Sequence, residues 1–107
     1  MFKEVQEQVW KTAHDKGWHE IDRTFAEYIV LMHSELSEAL EEYRANHEPD
    51  EVYFKDGKPE GIPIELADVL IRVLECAEEF GIDLDEAMRI KMEFNETRPI
   101  RHGGKKL

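Results

Sequence analysis

The segment His33-Ser34-Glu35-Leu36-Ser37-Glu38 places two glutamates three residues apart, and Ile64-Glu65-Leu66-Ala67-Asp68 repeats that spacing with a glutamate and an aspartate. On an α-helix, residues three apart lie on one face, one turn from each other. Two such pairs on facing helices would form a cluster of four carboxylates. Oxygen ligands of this kind suit a hard divalent cation such as Mg²⁺ or Mn²⁺.

Acidic residues are frequent in this chain, 25 of 107, so either pair alone also fits an ordinary solvated helix face. Two features favour a site. Glu35 and Glu38 border the apolar face of their predicted helix. Glu65 and Asp68 interrupt a helix that is otherwise apolar. Carboxylates near a core are costly unless they are paired or bind a metal.

Hydrophobic periodicity predicts an all-α fold, a four-helix bundle with an irregular basic C-terminal tail. The predicted helices cover residues 3–16, 24–45, 62–80 and 83–96. Thr24 with Glu27, and Asp83 with Glu86, have the spacing of N-terminal capping boxes. Leu84, Ala87, Met88 and Ile90 are the expected buried side of the fourth helix.

Residues 46–61 contain two prolines, two glycines and several acidic residues, which predicts a loop with a short turn at residues 55–58. No strand is predicted anywhere in the chain. The third helix is apolar around most of its circumference, and four helices of one protomer cannot easily cover such a helix. We therefore expect oligomerisation to complete the bundle.

Composition narrows the possible functions. The length of 107 residues fits a single domain, residues 1–107. A net charge of −11 disfavours binding to nucleic acid or to an anionic membrane surface. The only cysteine, Cys76, excludes an internal disulfide. The first seven residues lack the apolar core of a signal peptide and no apolar run has the length of a membrane span, so we expect a cytoplasmic protein.

A second polar set lies on the predicted fourth helix. Lys91, Asn95 and Arg98 are four and three residues apart, so a helix aligns them on one face, where they suit a phosphate chain. Complementation of the helix dipole by basic residues is the alternative. The segment Arg101-His102-Gly103-Gly104-Lys105 combines cations with glycines whose backbone amides can approach an anion, and a frayed terminus is its alternative.

In this order, the motifs resemble the MazG-like all-α nucleoside triphosphate pyrophosphohydrolase superfamily, which includes dimeric dUTPases, dCTP pyrophosphatases and phosphoribosyl-ATP pyrophosphatase. The pattern is Glu-x-x-Glu, then Glu-x-x-Asp, then Lys-x-x-x-Asn-x-x-Arg, within residues 20–105. The ending Asn-Glu-Thr-Arg-Pro followed by His-Gly-Gly-Lys is most similar to small single-domain members. Many relatives carry another glutamate directly before the first ligand, where this chain has Ser34.

The resemblance implies an enzyme that cleaves a nucleoside triphosphate between its α- and β-phosphates, with Mg²⁺ as cofactor and Mn²⁺ as a substitute. The implied metal ligands are Glu35, Glu38, Glu65 and Asp68. Glu38 is also the candidate that orients or deprotonates the attacking water. The implied phosphate-binding residues are Lys91, Asn95, Arg98 and Lys105. Family members assemble as dimers or tetramers, so we expect a homodimer or a homotetramer.

Two other functions stay open at this stage. The chain could be a phosphoribosyl-ATP pyrophosphatase-like enzyme, or a non-catalytic acidic helical module that binds a protein partner. The candidates to cover the base of a nucleotide are Trp18, His19 and the 46–61 loop, on position alone. His33 falls away from the carboxylate stripe and is interpreted as structural.

Overall fold

A computed structural model describes residues 1–17 and 23–98, and the structural statements below concern those residues. Within them the chain forms four helices and one two-stranded antiparallel sheet. The elements are α1 (Phe2–Asp15), α2 (Phe25–Arg44), β1 (Tyr53–Lys55), β2 (Lys58–Glu60), α3 (Ile62–Glu79) and α4 (Leu84–Thr97). The four predicted helices are confirmed, and their ends differ from the prediction by at most one residue.

The prediction of a strand-free loop over residues 46–61 is wrong, because β1 and β2 form a hairpin there. The turn at Asp56-Gly57 has positive φ at both residues, 54° and 77°. Asp-Gly is a preferred pair for such a two-residue turn, so the predicted turn is confirmed. The strands themselves are three residues long and β2 contains Pro59, so neither carries a recognisable strand pattern.

The helix starts follow the predicted caps. The Thr24 hydroxyl accepts a hydrogen bond from the Glu27 N–H, and the Glu27 carboxylate accepts one from the Thr24 N–H, both at 3.1 Å, which completes the capping box of α2. At α4 the Asp83 carboxylate accepts from the Glu86 N–H at 3.0 Å, but the Glu86 carboxylate pairs with Arg89. Only the first half of the second predicted box therefore forms.

Helix α3 is the centre of the packing, with α2 against one side and α1 against its C-terminal part. The Gln6 amide donates to the Glu78 carboxylate at 3.1 Å, and the Trp10 indole N–H donates to Glu79 at 2.9 Å. The buried apolar side chains are Ala13, Tyr28, Ala39, Ile62, Leu74, Cys76 and Ala77. None of the helices in the described ranges combines the length and apolar composition needed to cross a bilayer.

Helix α4 packs mainly on α1, where the Asp85 carboxylate accepts a hydrogen bond from the Phe2 N–H at 2.7 Å. The expected buried side of α4 is not found in the single chain, since no residue of this helix is buried and Ile90 is 55% exposed. The prediction for Leu84, Ala87, Met88 and Ile90 is therefore wrong for one protomer. These side chains stay unburied because α4 contacts mainly α1 and not α2.

Helices α2 and α3 are antiparallel, since Glu35 lies beside Arg72 and Tyr28 packs edge-on against Phe80. We call residues that point at the other helix, such as Glu35 and Arg72, facing positions. Because the two helices run in opposite directions, the residue directly after a facing position lies on the same side of the pair in both helices. These residues are exposed and apolar, and we call them the leucine face. The leucine face consists of Leu36, Leu40, Tyr43, Leu66 and Leu70. Glu35 and Glu65 lie at facing positions between the two helices. Glu38 and Asp68 directly precede facing positions, so they lie toward the side opposite to the leucine face.

The junction between β2 and α3 depends on Gly61, whose φ of +118° belongs to a region open essentially to glycine alone. A Cβ at this position would also overlap the carbonyl oxygen of Glu51. We expect Gly61→Ala to lower the free energy of unfolding by about 3 kcal/mol, measured by urea denaturation. The matched control is Gly57→Ala, which also has positive φ but has open space around the added carbon and should lose about 1 kcal/mol. Equal losses in the two variants would contradict the overlap.

Candidate metal centre

Glu35 and Glu38 of α2 meet Glu65 of α3 between the two helices. One carboxylate oxygen from each residue lies within 4.8 Å of the other two. The three side chains differ in burial. Glu65 is only 8% exposed, Glu35 is half-buried and Glu38 is exposed. The structure thus brings together three of the four predicted metal ligands, in an arrangement that is open to solvent on the Glu38 side.

Asp68, the fourth predicted ligand, lies at the border of this cluster. Its oxygens are not in the converging group, but its charge raises the pKa of both Glu35 and Glu65. The pKa of Asp68 is itself raised by burial, while Arg72 opposes the shift. Asp68 also lines a cavity of about 400 Å³ with Arg72 and Glu75.

Glu65 is the electrostatic centre of the site. Burial, the neighbouring Glu38 carboxylate, Asp68 and Glu35 together raise the pKa of Glu65 to about 7. In residues 1–17 and 23–98, no hydrogen-bond partner reaches the buried oxygen Oε2 of Glu65. A buried carboxylate in such surroundings is unfavourable unless it holds a proton or a cation. The donor set consists of carboxylate oxygens only, and it therefore fits Mg²⁺ or Mn²⁺.

Arg72 is a member of the site that the sequence motifs did not identify. Its Nε lies 3.6 Å from Glu35 Oε1, and its Nη1 lies 3.7 Å from Glu75 Oε2. Arg23 approaches the same oxygen of Glu75 at 4.0 Å. Burial chiefly raises the pKa of Glu35, and Arg72 opposes that shift. Arg72 follows Asp68 by four residues, so its position on the acidic side could be deduced, but its contact with Glu35 depends on how the two helices pack.

A second acidic group adjoins the first and includes the hairpin. Glu42, Glu60 and Glu65 each offer one oxygen within 4.8 Å of the others. The Tyr53 hydroxyl donates to both oxygens of Glu42, at 3.0 and 2.8 Å, and this bonding is the main cause that raises the pKa of Tyr53 to about 12. His47 stacks on the Tyr53 ring with 4.6 Å between centroids. No sequence motif marks Glu60, because the prediction for residues 46–61 is a loop.

The predicted phosphate-binding residues Lys91 and Asn95 of α4, and Arg98 directly after it, are exposed and lie apart from the acids. The prediction that one helix aligns all three is wrong for Arg98, because α4 ends at Thr97 and the backbone of Arg98 is extended. The Lys91 ammonium and the Arg98 guanidinium lie 5.1 and 5.8 Å from the centroid of the Phe94 ring. Within the described part of the chain, no hydrogen bond or ion pair joins Lys91, Asn95 or Arg98 to the acidic cluster. A single protomer therefore does not unite the two predicted halves of the site.

Several other predicted contributors lie outside the described residues. They are Trp18, His19, Lys105 and the glycine-containing segment 101–105. His33 lies within the described part of α2 and is exposed, and its backbone carbonyl accepts a hydrogen bond from the Ser37 hydroxyl at 3.1 Å. His33 is also not in either converging group of acidic residues.

The fold and the site together define a helical protein with a carboxylate cluster between two antiparallel helices. Comparison of the chain with protein-family models, with curated proteins and with solved structures finds no match. The resemblance to the MazG-like superfamily therefore rests on the ordered motifs and remains a prediction.

Glu65 should make the stability of the metal-free protein depend on pH. Its pKa of about 7 in the folded chain is above the ordinary value of 4.5, so the folded state binds the proton more tightly than the unfolded state does. This contribution is complete below pH 4.5 and is lost as the pH rises through 7. We expect the free energy of unfolding in EDTA to fall by about 3 kcal/mol over this range because of Glu65.

Urea denaturation between pH 4.5 and 8 measures this effect. The Glu65→Gln variant cannot titrate at this position, so its stability should fall much less over the same range. Some decrease should remain in this variant, because the pKa values of Glu35 and Asp68 are raised as well. Identical pH dependence in the variant and the wild type would show that Glu65 does not carry the shift.

Proposed function

We propose that this protein is a Mg²⁺-dependent nucleoside triphosphate pyrophosphohydrolase, which cleaves its substrate between the α- and β-phosphates and releases pyrophosphate. The proposal is carried by one observation, the convergence of Glu35, Glu38 and Glu65, of which Glu65 is buried and has an oxygen without a hydrogen-bond partner in the described residues. The acids that converge are those at the motif positions of the superfamily that the sequence resembles.

The three acids differ in burial, and this difference suggests separate roles. Glu35 and Glu65, which approach from opposite helices, would hold the cation. A bound divalent cation would offset the negative charge of the phosphates and lower the pKa of a water molecule. Glu38 is the exposed member, so it can accept the proton of the attacking water as the anhydride bond between the phosphates breaks. Arg72 would keep the Glu35 carboxylate in position.

The assignment of Lys91, Asn95 and Arg98 to phosphate binding requires a further condition. Lys91 and Asn95 lie on α4 and Arg98 directly follows it. Helix α4 packs mainly on α1, whereas the acids lie between α2 and α3. The three residues can serve a substrate at the acidic cluster if a second copy of the chain brings its α4 there. Lys105 would add a further cation from the segment outside the described residues.

A second copy of the chain is also the proposed cover of the leucine face. Leu40 and Leu70 are both 57% exposed although each continues an apolar stripe. The face carries no charge, on a chain whose net charge of −11 makes two copies repel each other over most of their surface. The face lies beside the acidic cluster, so a second copy that covers it can bring its α4 to the acids without burying them. We propose a homodimer or a homotetramer on this basis.

Pyrophosphate release from a panel of nucleoside triphosphates tests the proposed function. The panel contains ribo- and deoxyribonucleotides of every base, together with phosphoribosyl-ATP. We expect release from at least one nucleoside triphosphate in Mg²⁺, its loss in EDTA and its recovery with Mg²⁺ or Mn²⁺. Activity confined to phosphoribosyl-ATP would instead favour the phosphoribosyl-ATP pyrophosphatase-like alternative, and no release from any member would contradict both.

A non-catalytic module that binds a protein partner is the second candidate function, and the exposed leucine face favours it. This candidate predicts that Mg²⁺ and nucleotide together leave the melting temperature unchanged. The enzyme predicts a rise, because a ligand that binds only the folded state stabilises it. Differential scanning fluorimetry with and without Mg²⁺ separates the two.

A further inference from the structure

The group formed by Glu42, Glu60 and Glu65 includes two residues, Glu42 and Glu60, that lie outside the motifs of the proposed function. Each residue comes from a different element, namely α2, the end of β2 and the first turns of α3. One oxygen from each lies within 4.8 Å of the other two. Three converging carboxylates repel one another, so the arrangement needs either protons or a positive charge.

Few positive charges lie close to this group within the described residues. No lysine or arginine there forms an ion pair with Glu42, Glu60 or Glu65, and the His47 imidazole approaches the group on the Glu42 side, where its Nε2 lies 3.5 Å from Glu42 Oε2. Glu65 is 8% exposed, and in this part of the chain no donor reaches its Oε2. Glu65 supplies one oxygen to this group, and a buried carboxylate with an oxygen that lacks a donor indicates a proton or a cation.

Contacts of the hairpin with α2 and with the start of α3 position the three carboxylates of this group. The Tyr53 hydroxyl orients Glu42 through two hydrogen bonds, as an outer ligand orients a metal-binding carboxylate. Tyr53 pairs with Glu60 across the hairpin, so the same contact also positions Glu60. Gly61 follows directly, and its carbonyl accepts a hydrogen bond from the Glu65 N–H at 3.0 Å. The three carboxylates are thus placed before any cation binds.

We propose that Glu42, Glu60 and Glu65 form a second site for a hard divalent cation, which ties the hairpin to α2 and α3. This site would share Glu65 with the cluster of Glu35 and Glu38, and only that sharing rests on the proposed function. Carboxylate oxygens without nitrogen or sulfur ligands select Mg²⁺, Mn²⁺ or Ca²⁺. The hairpin thereby becomes part of a two-cation centre.

Titration with Mn²⁺, followed by electron paramagnetic resonance, counts the bound ions of the full chain. We expect two ions per chain in the wild type, with the magnetic coupling of ions that share a carboxylate. The Glu60→Gln variant should bind one ion and lose the coupling, and Glu65→Gln should lose both ions. Glu41→Gln is the control, since Glu41 is an exposed residue of α2 paired with Arg44, and it should retain both.

The Glu35→Gln variant distinguishes the two sites, because Glu35 belongs only to the first group. If it binds one ion while Glu60→Gln also binds one, both sites are present. If Glu35→Gln binds as many ions as the wild type and Glu60→Gln binds one fewer, the second site stands and the site of the proposed function fails. If Glu60→Gln binds as many ions as the wild type, the second site is refuted whatever Glu35→Gln does. Circular dichroism of each variant verifies that the helices are retained.

Discussion

The Glu38→Gln variant should release pyrophosphate about 10²–10⁴-fold more slowly than the wild type, the range expected for loss of a general base. The amide that replaces the carboxylate cannot accept the proton of the attacking water and is a weaker cation ligand. The fold should be unaffected, because Glu38 is exposed. The measurement is kcat/KM at saturating Mg²⁺, together with the helical circular dichroism signal.

The control for this prediction is Glu41→Gln, which removes the same charge from the same helix. Glu41 points to solvent and pairs with Arg44 at 2.8 Å, so its loss should leave the rate within a factor of two or so. The Asp68→Asn variant removes the charge of the acid at the border of the cluster and should also abolish turnover. Full activity of Glu38→Gln or of Asp68→Asn would remove that residue from the site.

The helices and their starts could be predicted because they depend on local information. Hydrophobic periodicity sets the extent of each helix, and the Thr24 capping box involves residues three apart. The pairing of acids within one helix could also be predicted, since a spacing of three residues places Glu35 with Glu38 on one face. What the sequence could not determine was which acids of α2 and α3 face each other, and this excluded Asp68 from the converging group.

The parts that could not be predicted depend on contacts between distant segments. Glu60 joins the site because Tyr53 holds the hairpin on Glu42, a side-chain contact across eleven positions of the chain. The strands are too short to carry a periodic pattern, so the sequence predicted neither the hairpin nor the position of Glu60. The predicted burial of the apolar side of α4 is wrong for the single chain, because periodicity identifies the apolar residues of a helix but not the element that covers them.

The Leu70→Glu variant should convert the proposed oligomer into monomers of 12.6 kDa. Burial of one leucine side chain is worth about 1.5–3 kcal/mol, and a two-fold symmetric interface contains the residue twice. The loss of both contacts, with two added charges, should weaken association by about 10²–10⁴-fold. Sedimentation equilibrium over a range of protein concentrations measures the change. The fold should persist, because Leu70 is 57% exposed in the single chain.

Val30→Glu provides the matched control for this substitution. Val30 is 65% exposed on the same pair of helices, but it lies on the side of α2 that faces away from α3, so the variant should keep the mass of the wild type. The activity of the Leu70→Glu monomer then tests the assignment of the phosphate-binding residues. If a second copy supplies Lys91, Asn95 and Arg98, dissociation must reduce turnover even though Glu35, Glu38 and Glu65 remain in place. A monomer with full activity would show that the acidic cluster works without α4 of a partner, and these three residues would lose their proposed role.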